Sequence, residues 1–398
     1  MLVHWIWYAS LRGLSLQQKH KLMRRYLDPE EIYNKSDFLE DILLSPEAVE
    51  ALSDKDLTAC RQLLKLCNQL RIQVVTYRDA AYPSKLKNIS DPPLVLYYKG
   101  ILPSFDLQPG IGVVGTRKAS LYGKGNAYTM GNSLAASGAM VISGGAAGID
   151  TDALRGALTE QQPTVAVLGC GVDVTFPANN RTLFEKITEN GCLMSEYPPG
   201  TPPHKWHFPE RNRIISGLSD ALLVVEAPEK SGALITARLA LEQGREVYVM
   251  PGGANMFHCA GSNRLLQEGA TAASTGWDIL KNFTDHYPEL SCRETEIEEK
   301  PLSVAQMAQL PLMPPKEPAD KKYIDNTAPS AYSDERNDLS GMDELSRKVY
   351  SCLTKKPMPV DDVIALAEAP AAEVLGVLTK MSLMGMVANH PGRMVSVK

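Results

Sequence analysis

The stretch AMVISGGAAGID, residues 139–150, decides the fold of this chain of 398 residues. Its first half, AMVIS, is a short continuous apolar run, which is typical of a strand buried on both faces of a sheet. The glycine-rich segment SGGAAGID follows at once and leads into a helix-length amphipathic segment. A buried strand, a glycine-rich turn and a helix form the repeating unit of a parallel α/β sheet.

Five further apolar runs flank this unit, with helix-length amphipathic segments between them. They are GVVG at 112–115, TVAVLG at 164–169, CLMS at 192–195, ALLVVEA at 221–227 and EVYVMPG at 246–252. Continuous apolar strands that alternate with helices predict an extended Rossmann-like α/β core, in which helices cover both faces of a parallel sheet. Two earlier runs, IQVVTY and LVLYYKG, predict additional strands before the main sheet.

The sequence pattern divides the chain into four predicted segments. Residues 1–70 have helical patterns and predict a small helical domain, and residues 71–285 contain the α/β core. Residues 286–342 are rich in proline and charge, which predicts a flexible linker. Residues 343–398 recover a helical period and end in a hairpin pattern, which is the order of a winged-helix domain.

Charge, cysteine content and the N-terminus exclude several classes of function. The net charge of −5 gives no overall attraction to nucleic acid, so any such binding requires a local basic patch. The seven cysteines are scattered without a Cys-x-x-Cys pair, and His204 and His207 lack an accompanying ligand cluster, so no metal is expected. The apolar run LVHWIWYA is too short to span a membrane. We therefore expect a cytoplasmic protein with no membrane partner.

Candidate binding residues follow several strands. Ligands bind such sheets at the carboxyl ends of the strands, where helix N-termini offer free N–H groups. Arg117 and Lys118 lie in GTRKASLYGKG, which follows the first strand of the core and contains no acidic residue. In SGGAAGID, glycines lack the β-carbons that would keep an anion away from the backbone, and Asp150 is the expected N-cap. These glycines are Gly144, Gly145 and Gly148.

A proline-stiffened loop, PPGTPPHKWHFPERNRIISG at 198–217, brings cations and aromatic rings to the same edge. Pro209 suits the first turn of a helix, which places both following arginines near free N–H groups. Positive charge interleaved with aromatic rings suits single-stranded nucleic acid, because cations bind the backbone and rings stack on bases. The residues concerned are Lys205, Trp206, Phe208, Arg211 and Arg213, with Lys230 before the next helix.

Other interpretations of these residues remain open at this point. The glycines can serve turn geometry alone, Trp206 and Phe208 can pack under the helix, and the arginines can form a solvated helix face. Enzyme motifs are incomplete: the strand after SGGAAGID ends in LGCG without the acid that holds a ribose diol, and no P-loop sequence occurs. No cofactor is therefore expected. The carboxylates Asp150, Asp152, Asp173 and Glu196 lack a partner base or metal set.

Several blocks together resemble the DNA processing protein A (DprA/Smf) family. They are GTRKASLYG, SGGAAGIDTDALRGAL, EYPPGTPP, FPERNRIISGLSDALLVVEA, SGALITARLALEQGREVYVMPG and SNRLLQEGA. The resemblance implies an extended Rossmann core that binds and protects single-stranded DNA and loads RecA recombinase during natural transformation. It also implies a homodimer without catalytic turnover. The N-terminus resembles the family's sterile-alpha-motif-like domain, and the C-terminus its winged helix.

The resemblance assigns roles to residues of this chain. The family's conserved arginine falls on Arg117, its phosphate loop falls on residues 143–148, and its dimer contact falls near Leu265 and Leu266. The DNA contacts expected are Arg117, Lys118, Ser143, Gly144, Gly145, Gly148, Lys205, Phe208, Arg211, Asn212, Arg213 and Lys230.

Two other functions compete with a DNA-binding role. Phosphoribohydrolases of the lysine-decarboxylase-like type share a Rossmann core with SGG and PGG loops, but PGGANMF at 251–257 lacks the Gly-Thr and Glu that follow in those enzymes. A transcription factor would bind duplex DNA through the winged helix. Its third helix, PAAEVLGVLTKM, has Lys380 but also Glu373, so it lacks a basic stripe for a major groove.

Overall fold

The computed structural model describes residues 1–35, 44–293, 344–354, 358–367, 369–383, 386–390 and 394–397. The chain divides into two units, Met1–Lys300 and Pro301–Lys398. Most of the predicted linker at 286–342 lies outside the described residues. Within the described part of that linker, Tyr287 donates a hydrogen bond to Asp220 at 3.3 Å and Leu290 packs against the core. The folded unit therefore extends past residue 286, because these two side chains attach the segment to the core.

Five helices precede the first strand of the described chain. They are α1 (Leu2–Ser10), α2 (Leu16–Arg25), α3 (Pro29–Asn34), α4 (Pro46–Ser53) and α5 (Thr58–Leu70). Local capping fixes several of their starts: Ser15 and Gln18 form a capping box before α2, and Asp28 caps α3 with Pro29 in its first turn. Helix α1 buries Trp5, Trp7 and their neighbours. The apolar N-terminal run is therefore part of a packed helix.

One nine-stranded sheet forms the centre of the first unit, in the order β1-β2-β6-β5-β4-β3-β7-β8-β9. The strands β1 and β2 pair antiparallel with each other, and β2 pairs antiparallel with β6. The remaining pairs are parallel, as the apolar runs predict. The strands are β1 (Gln73–Thr76), β2 (Val95–Gly100), β3 (Gly110–Val114), β4 (Met140–Ser143), β5 (Thr164–Val167), β6 (Cys192–Ser195), β7 (Ala221–Val224), β8 (Glu246–Val249) and β9 (Thr271–Ala272).

Helices cover both faces of this sheet, and successive strand residues point to opposite faces. Val113 and Val141 pack in one hydrophobic cluster with α7, α8, α9, α13 and the N-terminal helices. Val114 and Ile142 pack in the other cluster with α6, α10, α11 and α12. The helices are α6 (Ser84–Lys87), α7 (Leu121–Ala136), α8 (Ile149–Ala157), α9 (Arg181–Asn190), α10 (His207–Leu218), α11 (Gly232–Glu242), α12 (Ala260–Gln267) and α13 (Gly276–Leu280).

Among its described residues, the second unit has three helices and a three-stranded sheet of order β10-β12-β11. The elements are α14 (Glu344–Cys352), β10 (Met358–Pro359), α15 (Val360–Ala367), α16 (Ala371–Leu383), β11 (Val387–His390) and β12 (Met394–Val397). Strands β11 and β12 pair antiparallel, as the hairpin pattern predicts. Val349, Val363 and Val374, one from each helix, meet in its core. This arrangement is the predicted winged helix, and part of its predicted turn lies outside the described residues.

Candidate nucleic-acid interface

A cleft of about 360 Å³ opens at the carboxyl ends of β3, β4 and β7. The chain continues from β3 to β4 on one side, and β7 pairs with β3 on the other, so the strand order reverses at this point. Open α/β sheets bind ligands at such a switch point. Residues that line the cleft include Thr116, Arg117, Ala146, Asp150, Lys205, Phe208, Arg211, Asn212, Lys230, Ser231 and Ile235. The structure therefore brings several separately predicted residues to one site.

Arg117 and Phe208 form a stacked pair in this cleft. The Arg117 guanidinium carbon lies 4.6 Å from the centre of the Phe208 ring. Arg117 is exposed and forms no ion pair with any residue that the structure describes. Phe208 is half-buried, and the Phe176 ring lies 5.7 Å from it. Because aromatic rings and guanidinium planes both stack on bases, this pair suits a nucleobase.

Lys205 and Lys230 add two exposed ammonium groups to the cleft wall. Neither forms an ion pair within the described parts of the chain. Lys230 lies just before α11. In the first turn of that helix, the N–H of Ala233 donates to Ser231 Oγ at 3.3 Å. Apart from its chain neighbours and the backbone of its own helix, no described atom lies within 4 Å of the position that a β-carbon on Gly232 would take. The start of α11 is therefore accessible, and positive charge surrounds it.

A carboxylate of the same chain occupies part of the backbone of the glycine-rich loop, where the sequence predicted an anion. Asp150 lies in the first turn of α8 rather than at its N-cap, and its carboxylate accepts the N–H of Gly144 at 3.2 Å and of Ala146 at 3.4 Å. Ser143 is fully buried and donates to the carbonyl of Val113 at 2.6 Å. The loop thus binds a carboxylate of its own chain, which occupies donors that an anion would need.

Packing explains why this loop contains glycines. Gly148 has φ of +85°, and a β-carbon there would collide with the carbonyl of Thr116. A β-carbon on Gly144 would lie 2.7 Å from Asp150 Oδ2, and one on Gly145 would lie 2.9 Å from the Phe184 ring. These neighbours belong to the protein itself. The glycines therefore serve close packing and turn geometry, which was the competing interpretation of the sequence.

Arg211 lies under the loop rather than on the surface. Only 4% of the residue is exposed, and its Nη1 donates to the carbonyls of Gly144, at 2.8 Å, and Val167. Burial lowers the pKa of the Arg211 guanidinium to about 10, and the nearby Asp150 opposes this shift. Burial likewise raises the pKa of Asp150, against the attraction of Arg211. Arg211 thus compensates a buried carboxylate and holds two carbonyls, so its placement differs from the predicted phosphate contact.

Arg213 also lies apart from the predicted position. Its Nη2 donates to both carboxylate oxygens of Glu196, at 2.9 and 2.8 Å. It lines a second cleft, of about 660 Å³, with residues of α1, α2 and β2 rather than the cleft that contains Phe208. An ion-paired arginine outside the basic cleft is not positioned to bind the same strand. The prediction that Arg213 contacts DNA therefore has no support in this geometry.

The remaining carboxylates near the strand ends have partners as well. Asp152 pairs with Arg155 at 3.4 Å, and Asp173 accepts the N–H of Gly200 at 2.9 Å. The buried Glu226 accepts the N–H of Ser120 at 3.0 Å, beside the start of α7. Within the described residues no group of His, Cys, Asp and Glu side chains could hold a metal ion. Among the same residues no helix is both long and apolar enough to cross a membrane.

Comparison with known proteins identifies the family. The family model described as DNA recombination-mediator protein A matches residues 73–284, which is more than half of the chain. The chain belongs to this family. A second family model, the DprA winged helix domain, matches residues 328–393. The resemblance to the DprA/Smf family and the predicted α/β fold with a C-terminal winged helix are therefore confirmed.

Individual members of the family match over most of their length. The chain is 34% identical over 348 residues to Protein Smf of Synechocystis, which covers 83% of this chain and 81% of that protein. It is 39% identical over 225 residues to DNA processing protein DprA of Bacillus subtilis, which covers 56% of this chain and 74% of that protein. The X-ray structure of DprA from Streptococcus pneumoniae is similar with a TM-score of 0.62 at 32% identity, covering 71% of this chain and 98% of that one.

The structure also places four other residues to which the family resemblance assigned a role. Asn212 lines the cleft, and its Oδ1 accepts from Arg211 Nε at 3.3 Å, whereas the exposed Lys118 does not line the cleft. Leu265 packs in the core against the sheet and Leu266 is partly buried beside it, because α12 turns this face inward. Of these two leucines only Leu266 keeps part of its side chain accessible, so a dimer contact through Leu265 and Leu266 stays a prediction.

Two exposed apolar residues at this site were missed from the sequence. Ile235, 44% exposed on α11, lines the cleft. Phe176, 41% exposed beside Phe208, lines a smaller adjoining cavity of about 80 Å³ that shares Arg117 and Phe208 with the cleft. Phe176 follows β5, so the rule that ligand residues follow strands could have found it. Ile235 has no sequence signal, because one apolar residue in a helix is expected to face the core.

Proposed function

We propose that this protein binds single-stranded DNA in the cleft at the ends of β3, β4 and β7. One observation supports this most directly: Arg117, Lys205 and Lys230 are exposed in the cleft without ion pairs among the described residues, around the Phe208 ring. Among the described residues that line the cleft, the single acid is Asp150, which is buried and compensated by Arg211. The cleft is therefore locally positive in a chain of net charge −5.

A single strand fits this chemistry better than a duplex. Unpaired bases can stack on Phe208 and on the Arg117 guanidinium, whereas the bases of a duplex stack on each other. The cations would bind the backbone without regard to sequence. The family description, DNA recombination-mediator protein A, agrees with such a substrate.

We further infer that the protein acts by binding rather than by catalysis. Asp150, Asp152, Asp173 and Glu196 each have a structural partner, which leaves none of these four as a free acid or base in the described structure. The competing phosphoribohydrolase function gains no support from this arrangement. Within the family role we propose cytoplasmic protection of incoming DNA, loading of RecA during natural transformation and action as a homodimer.

Anisotropy titrations test the proposal. A fluorescein-labelled oligo-dT and a duplex of the same length are titrated with the full chain at several salt concentrations. We expect tighter binding of the single strand and a linear fall of log K with log salt. Equal or tighter binding of the duplex would refute the proposal. For the RecA step, we expect the protein to speed assembly of RecA on oligo-dT coated with a single-strand binding protein, and no acceleration would contradict it.

A further inference from the structure

One indole ring is exposed beside the basic cleft. Trp206 is 61% exposed, whereas Trp5 and Trp7 are buried and Trp277 is partly buried against the core. These four are all the tryptophans of the chain, and all lie in described residues. Trp206 directly follows Lys205, which lines the cleft, and precedes the first residue of α10. The exposed indole therefore lies where a strand leaving the cleft past Lys205 would pass.

A second ring is stacked on the indole. The imidazole of His204 is stacked on Trp206, with ring centres 4.6 Å apart and planes inclined by only 3°. The backbone between them is a tight turn, in which His207 N–H donates to the carbonyl of His204 at 3.1 Å. The His207 ring is buried and lies 3.1 Å, Nδ1 to O, from the carbonyl of Gly169. The turn is thus attached to the core, although the indole itself remains mostly exposed.

The loop that leads into this turn is also held in place. Gly171 N–H donates to the carbonyl of Thr201 at 2.9 Å, and Gly200 N–H donates to Asp173 at 2.9 Å. Pro202 and Pro203 restrict the backbone just before His204. A ligand that stacks on Trp206 would therefore meet a ring that already packs on His204 and lies on a loop bonded to the core, which lowers the conformational entropy lost on binding.

We propose that the stacked pair Trp206 and His204 is a platform for a second DNA base, outside the cleft that contains Phe208. This inference rests on the proposed single-strand binding and deepens it. The indole face offers stacking to any base, so the platform is insensitive to sequence. It differs chemically from the cleft, because it contributes ring contact rather than contacts between ammonium groups and phosphates.

Substitution of the indole should weaken binding without changing its salt dependence. Loss of one stacked base is expected to reduce the affinity for oligo-dT in Trp206→Ala by roughly 5- to 150-fold. Trp206→Phe should retain most of the affinity and Trp206→Leu should not, because leucine is apolar but cannot stack. The slope of log K against log salt should stay at the wild-type value, whereas Lys205→Gln should lower it by about 0.7.

Two controls separate stacking from other effects. Phe257→Ala removes a ring that is 74% exposed but does not line the cleft, and it should leave the affinity unchanged. An oligonucleotide of abasic sites has the backbone charge but no bases, so Trp206→Ala should bind it as tightly as wild type does. A lower salt slope in Trp206→Ala would overturn the platform, because the indole would then act by positioning Lys205.

Tryptophan emission gives an independent measurement. Because Trp206 is the most exposed of the four tryptophans, oligo-dT should quench the emission of wild type, and Trp206→Phe should lose most of this quenching. If oligo-dT binds wild type, but Trp206→Ala binds equally well and no quenching occurs, the platform is wrong and the proposed function stands. If wild type itself does not bind oligo-dT, both the platform and the proposed function fail.

Discussion

Replacement of Arg211 by methionine tests whether this arginine supports the cleft from below or binds the ligand. Methionine fills similar space but cannot donate to the carbonyls of Gly144 and Val167. Each carbonyl left without a donor costs about 1–3 kcal/mol. The buried carboxylate of Asp150 also loses the positive charge that compensates it. The two carbonyls alone cost about 2–6 kcal/mol. This overlaps the range of about 3–5 kcal/mol for breaking a buried charge pair.

Urea unfolding followed by tryptophan emission measures this loss, because all four tryptophans lie in the first unit. We expect Arg211→Met to unfold at a much lower urea concentration than wild type. The double variant Arg211→Met with Asp150→Asn should be more stable than the sum of the two single losses implies, because no unpaired charge remains. Lys205→Met, an exposed site, should change the free energy of unfolding by no more than about 0.5 kcal/mol.

The opposite pattern would refute this assignment. If Arg211→Met unfolds at the same urea concentration as wild type but loses its affinity for oligo-dT, Arg211 is a DNA contact and not a support for the loop. The same conclusion would follow if the double variant regained the free energy of unfolding of wild type but not its affinity for oligo-dT.

Three further predictions concern other residues. Arg213→Ala should leave the salt slope of oligo-dT binding unchanged, because Arg213 is paired with Glu196 outside the basic cleft; a slope lower by about 0.7 would contradict this placement. Gly148→Ala should lower the free energy of unfolding by about 2–4 kcal/mol, because its φ of +85° disfavours alanine and the new β-carbon would collide with the Thr116 carbonyl. The control Gly125→Ala adds a β-carbon in open space on α7 and should not destabilise the protein. Burial lowers the pKa of the Lys19 ammonium to about 8, so above pH 8 the folded state releases a proton that the unfolded state still holds. The free energy of unfolding of wild type should therefore rise relative to that of Lys19→Met as pH rises above 8, by up to about 1.4 kcal/mol per pH unit. A difference between the two proteins that does not change with pH would refute the shift.

The strands and the position of the cleft could be predicted from the sequence because their signals are local. Each apolar run such as AMVIS has a length and boundaries typical of a buried strand, and the rule for strand ends then brings Arg117, Lys205 and Lys230 together. These three residues carry charge on long side chains after strands or before helices, and none of them forms an ion pair within the described residues.

The roles of the two arginines in FPERNR could not be assigned by composition alone. Residues two apart on a helix do not share a face, so Arg211 and Arg213 cannot both point into one cleft. The choice between them depends on tertiary packing: the side chain facing the sheet meets Gly144 and Val167, and the other meets Glu196. The role of SGGAAGID also depends on tertiary packing. The Asp150 carboxylate accepts the N–H groups of Gly144 and Ala146 only once the first turn of α8 packs against the loop.

The most direct test of the account is the salt dependence of a variant that lacks the three cleft cations. Arg117→Gln, Lys205→Gln and Lys230→Gln are combined, and a control combines Lys65→Gln, Lys99→Gln and Lys186→Gln, which are exposed outside the cleft lining and change the net charge equally. For oligo-dT we expect the cleft variant to lower the slope of log K against log salt by about 2, while the control keeps the wild-type slope. An unchanged slope in the cleft variant, or the same fall in both variants, would contradict binding of single-stranded DNA in this cleft.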